Sequence, residues 1–329
     1  MFKNKSFLIT GGTGSFGHTL VTKLLDTEIR EIVVFSRDEA KQHFMKQEIS
    51  DPRLRFILGD IRNYETVSRA LYGIDYLFHA AALKQVPASE SFPWEFVQTN
   101  VQGSHNLLQA LSHSTVSKSV FLSTDKAVYP LNAMGMTKAL MEKLVRSDDY
   151  SSNSTSVITR YGNVIGSRGS VIPQFIDSIK NFGYVSVTEM NMTRFMMSLE
   201  ESVDLVLFAL AKGAAGDLFV QKSPAATVET IAGALALLFN KKDLEIRTVG
   251  IRPGEKIHET LLTAEERSLA IEHERYFQVK KHNQDQTPAV ATGRSINAEY
   301  TSANTEILTV TQLAELLSNI PKIAAAIRQ

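Results

Sequence analysis

Cysteine is absent from this 329-residue sequence. Its absence excludes disulfide bonds, thiolate metal sites and cysteine nucleophiles together. The sequence also lacks a net charge, because 35 lysines and arginines balance 35 aspartates and glutamates. We therefore expect neither nucleic acid nor a membrane as a partner, although a local basic pocket for a phosphorylated ligand remains compatible with this balance.

Long apolar runs are missing as well. No uninterrupted apolar stretch approaches the roughly 18 residues of a membrane-spanning helix. The first residues, MFKNKSFLIT, lack the apolar region of a signal peptide. The histidines are scattered without the spacing of metal ligands, so we predict no metal site. We expect a soluble, cytoplasmic protein.

The sequence does contain a regular alternation of two kinds of segment. Short runs rich in β-branched and aromatic residues, such as SFLIT, EIVVFS and KSVFLST, are separated by amphipathic stretches. This alternation is typical of repeated β-α-β units and predicts an α/β fold with a doubly wound parallel sheet, of the Rossmann type. Helices are predicted at about 94–112, 133–146, 227–239 and 309–318.

Glycine-containing segments that are typical of loops follow in the second half of the chain, among them GSRGS, KGAAGD and RPGEK. They indicate a smaller C-terminal substrate domain that is interleaved with the sheet. We predict a nucleotide-binding domain over residues 1–162, with returns to it from about 193–221. The substrate-binding region and a C-terminal oligomer segment then occupy residues 163–329.

A glycine-rich turn, TGGTGSFG, follows the first predicted strand. Glycines at this spacing permit a tight turn, close approach of the backbone to a pyrophosphate, and close packing of the next helix, whose N-terminus faces the anion. An ordinary glycine turn is the alternative, but the position between strand and helix favours a dinucleotide cofactor. The cofactor-binding residues predicted in this turn and at the later strand ends are Gly11, Thr13, Gly14, Ser15, Phe16, Gly17, Asp60, Ile61, Ala80 and Ala81.

The tip of the second predicted strand distinguishes between two cofactors. Folds that bind NAD usually have an acidic residue here for the ribose 2′-hydroxyl, whereas Ser36 and Arg37 are suited to a 2′-phosphate. With Lys41 nearby, the sequence favours NADP. The alternative is that Arg37 only pairs with Asp38 or Glu39 on the surface.

The stretch STDKAVYPLNAMGMTK has the form of a dehydrogenase-type catalytic segment with one key residue changed. Four positions before Lys138, where such enzymes usually have a tyrosine, this chain has Met134. A thioether cannot accept a proton at any useful pH, so another group has to act at the substrate hydroxyl. Lys126 is our first choice. Tyr129 is the second, if Lys138 lowers its pKa and Pro130 keeps the loop extended; a packing or interface role is the alternative.

Motifs along nearly the whole chain carry a family resemblance. TGGTGSFG, FSRDEAK, HAAALKQVP, STDKAVYP, RYGNVIGSRGSVIP, MTRFMMSLEE and RPGEKIHE occur in this order. They resemble the inverting UDP-N-acetylglucosamine 4,6-dehydratases of the extended short-chain dehydrogenase/reductase superfamily. Among these motifs, the Asp125-Lys126 pair best distinguishes the inverting family from its relatives. The retaining sugar-nucleotide dehydratases have Asp-Glu at this place, and the 4-epimerases have neither pair. Met134 within NAMG is similar to the capsule-type subset that also epimerises C5.

The resemblance implies a reaction that needs an acid and a base side by side. Oxidation at C4 by NADP⁺ makes the C5 hydrogen acidic, a base removes the C5 proton, and an acid protonates the departing C6 hydroxyl. The hydride then returns to C6 while a proton returns to C5 from the opposite face, which inverts C5. By resemblance Lys126 is the base and Asp125 is the acid. A lysine base must be neutral, so its pKa would have to be lowered, which burial beside the cationic nicotinamide or Lys138 could do. Thr124 would bind the C4 oxygen and Lys138 the nicotinamide ribose. A plain strand-end salt bridge between Asp125 and Lys126 is the alternative.

The resemblance also implies a UDP-sugar site and an oligomer. Arginine forks suit the diphosphate and a carboxylate suits ribose hydroxyls. A solvated loop lysine is the alternative for Lys84, and Asn100 is expected to support a helix bend. By resemblance the segment 300–308 reaches a neighbouring subunit, so we expect a homo-oligomer, plausibly a hexamer. The predicted substrate-binding residues are Lys84, Asn163, Arg168, Ser170, Arg194, Arg252 and Glu255.

Three functions remain open from the sequence. The leading one is a lyase of polysaccharide or capsule biosynthesis that dehydrates UDP-N-acetylglucosamine with inversion at C5. The second is another NADP-dependent UDP-sugar epimerase or reductase. The third is a non-catalytic NADP-binding regulator, against which the intact Asp125, Lys126 and Lys138 argue.

Overall fold

Alternating buried strands and amphipathic helices build the first half of the chain. The computed structural model describes residues 2–150, 154–167, 169–241, 243–281 and 298–328. The strands of the first half are β1 (Ser6–Thr10), β2 (Glu31–Ser36), β3 (Leu54–Leu58), β4 (Tyr76–His79), β5 (Lys118–Leu122) and β6 (Thr155–Arg160). Its helices are α1 (Ser15–Leu25), α2 (Glu39–Glu48), α3 (Tyr64–Ala70), α4 (Val86–Ser91), α5 (Pro93–Phe96), α6 (Gly103–Leu111) and α7 (Ala133–Arg146).

The second half contains shorter strands and more irregular connections. Its strands are β7 (Asn163–Val164), β8 (Tyr184–Val187), β9 (Thr193–Met197), β10 (Leu218–Gln221), β11 (Ala225–Thr227), β12 (Glu245–Thr248), β13 (Thr260–Leu262), β14 (Ile271–Glu272), β15 (Tyr276–Val279) and β16 (Tyr300–Thr301). Its helices are α8 (Val171–Phe182), α9 (Leu199–Lys212), α10 (Val228–Leu238), α11 (Ala264–Leu269), α12 (Val310–Ser318) and α13 (Pro321–Arg328).

One large sheet organises the molecule. Among the described residues its strand order is β3-β2-β1-β4-β5-β6-β10-β15-β14, parallel as far as β10 and antiparallel beyond it. The order 3-2-1-4-5-6 is that of doubly wound nucleotide-binding folds, in which the strand order reverses beside the first strand. The predicted α/β fold with a doubly wound parallel sheet is confirmed.

Apolar side chains pack on both faces of this sheet because helices cover both. A third apolar cluster lies apart from the sheet, where α8, α10 and α12 pack together. The chain leaves the sheet after β6, returns with α9 and β10, and returns again with β15 and β14. The C-terminal region is therefore interleaved with the sheet, while the limits 1–162 and 163–329 for two domains remain a prediction.

The helix predicted over 94–112 is interrupted. It consists of α5, a π-helical turn at Val97–Gln102, and α6. In this turn the side chain of Asn100 accepts a hydrogen bond from Leu83 N at 2.9 Å and donates to Leu83 O at 2.9 Å. The Asn100 amide thus ties the bend to the loop after β4, as expected. The other three predicted helices are α7, α10 and α12, within one residue at each end.

The segment after residue 298 pairs with its own chain. β16 forms an antiparallel pair with β13, and Leu308 N donates to Ala225 O at 2.8 Å. The ends of segment 300–308 are thus bonded within their own chain, and the reach of this segment to a neighbouring subunit remains a prediction. The homo-oligomer, and a hexamer in particular, remains a prediction. None of the described helices has the length and apolarity needed to cross a membrane.

Candidate active site

A cleft of about 880 Å³ opens at the carboxyl ends of the parallel strands. Residues from the sheet loops line one side of it, and residues from the C-terminal region line the other. Doubly wound sheets bind their ligands in this crevice, next to the point where the strand order reverses. The cleft is therefore the candidate site, and the predicted residues can be tested against its lining.

The glycine-rich turn forms the floor of the cleft at the N-terminus of α1. Gly11 has a φ of +69°, and a Cβ there would lie 2.7 Å from Ala81 N. A Cβ on Gly17 would lie 2.4 Å from Gly12 Cα. Side chains are therefore excluded at these two positions, and the backbone amides that begin α1 stay accessible to an anion. This cradle fits the pyrophosphate of a dinucleotide.

The tip of β2 lies at the rim of the cleft. Ser36 Oγ lies 3.0 Å from Thr13 Oγ1, and Arg37 is half exposed, with one guanidinium nitrogen 3.7 Å from Asp60 Oδ2. Lys41 pairs with Asp38 instead. Arg37 thus stands beside Asp60 and not beside the acids that follow it in sequence. All the predicted cofactor-binding residues line the cleft.

A short turn after β5 carries the predicted acid and base. Asp125 is fully buried, and its Oδ1 accepts bonds from Thr124 Oγ1 at 2.8 Å and from Lys126 Nζ at 3.0 Å. Lys126 Nζ also lies 3.2 Å from Glu259 Oε1. Asp125 Oδ2 is buried without a hydrogen-bond partner among the described residues. The amino group is therefore held between two carboxylates.

The two carboxylates decide the charge of Lys126. Burial raises the pKa of Asp125, an effect to which Glu259 adds and which Lys126 only partly offsets. Burial alone would lower the pKa of Lys126, but Asp125 and Glu259 outweigh it and the pKa is raised. The predicted lowering of the Lys126 pKa is wrong for the protein without ligands, because the sequence did not reveal the second carboxylate.

Helix α7 packs tightly on this turn. A Cβ on Gly135 would lie 2.2 Å from Lys126 O, so only glycine permits this approach. Met134 is buried and lines the cleft where the tyrosine would otherwise stand. Burial lowers the pKa of Lys138 to about 8, and its Nζ lies 3.2 Å from Met141 Sδ. Both residues of the predicted Met134/Lys138 pair thus lie in the cleft.

Tyr129 does not lie in the cleft. Its ring is half exposed, and its hydroxyl donates to Glu299 Oε1 at 2.9 Å. That hydrogen bond raises the pKa of Tyr129 instead of lowering it. Its φ of +45° is left-handed, not the extended conformation expected before Pro130. The prediction of Tyr129 as a substitute proton acceptor is therefore wrong, and Lys126 remains the candidate.

Glu259 is the cleft residue that sequence reasoning missed. It is 2% exposed and lies in RPGEKIHE, a motif in which the sequence predicts only Arg252 and Glu255 as substrate-binding residues. Arg194 Nε is 3.9 Å from its Oε1, and Lys256 Nζ is 4.0 Å from its Oε2. Nothing in the sequence distinguishes this glutamate from Glu255, because its burial results from contacts with distant segments.

Most of the predicted substrate residues come from the C-terminal region that lines the cleft, whereas Lys84 comes from the loop after β4. The Arg194 guanidinium donates to Thr193 O at 2.8 Å, and Arg252 N donates to Glu255 Oε2 at 3.4 Å. Asn163 Oδ1 is buried without a hydrogen-bond partner in the described part of the chain. Arg168 lies outside the described residues. The cleft-lining members of the predicted set are Lys84, Asn163, Ser170, Arg194, Arg252 and Glu255.

Comparison with known proteins identifies the family. A family model described as polysaccharide biosynthesis protein matches residues 7–281. A UDP-glucose 4-epimerase of Rickettsia rickettsii (strain Sheila Smith) is 48% identical over 96% of both chains, and one of Rickettsia bellii (strain RML369-C) is 46% identical over 97% of both.

Two solved structures share the fold along much of the chain. Pen from Bacillus thuringiensis has a TM-score of 0.90 and 35% identity, covering 97% of this chain and 98% of its own. DesIV from Streptomyces venezuelae, a dTDP-glucose 4,6-dehydratase with NAD and TYD bound, has a TM-score of 0.71 and 26% identity, covering 77% of this chain and 86% of its own. The chain thus has the Rossmann-type fold of the extended short-chain dehydrogenases/reductases and belongs to the polysaccharide biosynthesis protein family.

Proposed function

We propose that this protein is an enzyme that modifies a UDP-sugar with the help of a nicotinamide dinucleotide, and that it dehydrates UDP-N-acetylglucosamine across C5 and C6 with inversion at C5. The observation that carries the dehydratase assignment is the contact at 3.0 Å between Lys126, which lines the cleft, and Asp125, which is buried directly behind it. Elimination of water needs an acid and a base close together, and this pair offers both.

The cofactor would lie over the glycine-rich turn. Its pyrophosphate would meet the N-terminus of α1, and Lys138 would hold the nicotinamide ribose. Bound there, the nicotinamide supplies a reversible hydride acceptor for the sugar. DesIV carries NAD in its crystal. We propose NADP for this chain, because Ser36 and Arg37 stand where an NAD-binding fold usually has an acid.

The residues of the catalytic turn have distinct tasks. Thr124 would hydrogen-bond the C4 oxygen. Because the pKa of Asp125 is raised by burial, its carboxyl can keep a proton and donate it to the departing C6 oxygen. Lys126 would accept the C4 hydroxyl proton during oxidation, pass it to solvent, and then remove the C5 proton. Before either step it would have to lose its own proton. The positive charge of a bound nicotinamide favours that loss, since like charges lower the pKa of an amine.

A second candidate is 4-epimerisation of a UDP-sugar. The relatives at 46% and 48% identity are named UDP-glucose 4-epimerase. Epimerisation at C4 inverts one hydroxyl and leaves C5 and C6 unchanged, so it has no use for a separate acid at C6. The Asp125–Lys126 pair therefore favours dehydration, and the product distinguishes the two reactions.

Incubation with UDP-N-acetylglucosamine in deuterated buffer tests this proposal. We expect a product that has lost one water and carries solvent deuterium at C5, measured by mass spectrometry and NMR. UDP-glucose, supplied in parallel, should react more slowly. A product that keeps its C6 oxygen and is inverted at C4 would contradict the dehydratase and support the epimerase.

Replacement of Arg37 with aspartate tests the cofactor. We expect the affinity for NADP to fall roughly 10- to 150-fold, the equivalent of about 1.5–3 kcal/mol for a lost hydrogen bond between charged groups. The affinity for NAD should change little. Isothermal titration of the cofactor-free protein measures both. Arg55→Asp, at an exposed pair with Glu31, is the control; an unchanged preference in Arg37→Asp would contradict the 2′-phosphate contact.

A further inference from the structure

Glu259 is a charged group of the cleft to which the proposed reaction gives no task. Its carboxylate is almost completely buried, and burial alone would raise its pKa. Lys126, Arg194 and Lys256 surround it and instead hold that pKa below its usual range. A buried carboxylate persists only when such partners compensate for its lost hydration. Glu259 is thus ionised and links the base to two further cations of the cleft.

The backbone of Glu259 is fixed by a segment far along the chain. Ser302, which is fully buried, donates from its N to Glu259 O at 2.8 Å, and its Oγ accepts from Glu259 N at 2.8 Å. Ser302 Oγ also lies 2.6 Å from Thr193 Oγ1. β13 begins at the next residue and pairs with β16. The position of the carboxylate is therefore set by several contacts and does not depend on the ion pair alone.

We propose that Glu259 is a positioning residue, whose carboxylate holds the Lys126 amino group beside Asp125 and sets the pH range in which that amino group can act as a base. This inference rests on the proposed function, since it concerns the same acid–base pair. It gives the pair a third member contributed by the C-terminal region of the chain.

The charges around Lys126 give the sign of the expected effect. Glu259 faces its amino group as an anion and Asp125 as a buried carboxyl group, while Arg194 and Lys256 stand behind Glu259 as cations. Removal of the Glu259 charge leaves one buried acid against the two cations. The ammonium form of Lys126 is then stabilised less by neighbouring charges, while the cost of its burial is unchanged. A larger fraction of the amino group is therefore neutral at a given pH.

Glu259→Gln tests this, because glutamine keeps the shape and a hydrogen bond but not the charge. The rate at which acetic anhydride labels the Lys126 amino group, followed by peptide mass spectrometry, reports its neutral fraction without any substrate. We expect this rate at pH 8 to rise about tenfold, as a pKa lower by one unit implies. The acid limb of kcat/KM for dehydration should move to lower pH as well.

Two further variants separate charge from structure. Glu272→Gln removes a carboxylate outside the cleft, 2.8 Å from Lys222, and should leave the labelling of Lys126 unchanged. Glu259→Asp keeps the charge but moves it away from Lys126 by the length of one methylene group. Its labelling rate should lie between those of the unmodified protein and Glu259→Gln. This variant replaces Glu259→Gln as the test if Glu259→Gln does not fold.

An unchanged labelling rate in Glu259→Gln, or in Glu259→Asp if only that variant folds, would overturn the inference. Activity lowered equally at every pH would do so too. If the labelling rate rises but the unmodified protein forms no dehydrated sugar, the dehydratase proposal fails while the control of Lys126 by Glu259 stands.

Discussion

Lys126→Arg should abolish dehydration while leaving the ion pairs of the catalytic turn in place. A guanidinium can still bridge Asp125 and Glu259, but it does not give up its proton at any working pH. Loss of a positioned general base lowers the rate by about 10²- to 10⁴-fold. We expect a decrease of that size in kcat, with little change in UDP-sugar affinity, measured by product formation and calorimetry.

Exchange at C5 gives the more direct measurement for Lys126. In deuterated buffer Lys126→Arg should incorporate no solvent deuterium at C5, and Lys126→Met should behave in the same way. Lys222→Met, at an exposed pair with Glu272, is the control for loss of a lysine. Exchange at the normal rate in Lys126→Arg would show that this lysine serves as a charge and not as the base.

Arg160→Met should cause the largest loss of stability among the single changes considered. Arg160, at the end of β6, is 4% exposed and bonds Glu142 on α7 and Glu266 on α11. It also donates to Leu261 O at 2.8 Å. Its removal leaves the largely buried carboxylates of Glu142 and Glu266 without their cationic partner, which costs about 3–5 kcal/mol of the free energy of unfolding. Urea unfolding at pH 7 measures the change.

The pH dependence of this loss has a defined sign. Arg160 holds the pKa of Glu266 below its usual range against the opposing effect of burial. The stabilisation is therefore present above the ordinary glutamate pKa and is lost as the pH falls through the lower, folded value. The difference between Arg160→Met and the unmodified protein should narrow at acid pH. Arg247→Met, at an exposed pair with Glu245, should lower the free energy of unfolding far less, because solvent screens the pair. A similarly small loss for Arg160→Met would contradict the expected role.

Local patterns predicted those parts of the molecule that depend on neighbours in sequence. The strand alternation, the glycine-rich turn and the limits of α7 follow from periodicity and from caps such as Asn132, whose Oδ1 accepts from Gly135 N. The roles of the adjacent Asp125 and Lys126 were predicted from the resemblance of the surrounding motifs to a known family. These features need no knowledge of distant contacts.

Distant contacts account for what the sequence did not reveal. Asn100 interrupts a continuous helical pattern because its amide bonds the loop at Leu83. Tyr129 turns outward because Glu299, 170 positions later, accepts its hydroxyl. Glu259 is indistinguishable from other glutamates until β13 and β16 pair and bury it. In each case a partner that is remote in sequence determines the environment of the side chain.

The contact between Ser302 and Glu259 also bears on how the protein is made. The sheet strands through β10 lie within the first 221 residues, so most of the parallel sheet can assemble while the chain is still being synthesised. Glu259 receives its backbone partner only when Ser302, 43 residues later, has left the ribosome. The nascent protein can therefore form its nucleotide cradle before it has a complete acid–base centre, which has to wait for the synthesis of a segment about 80 residues beyond β10.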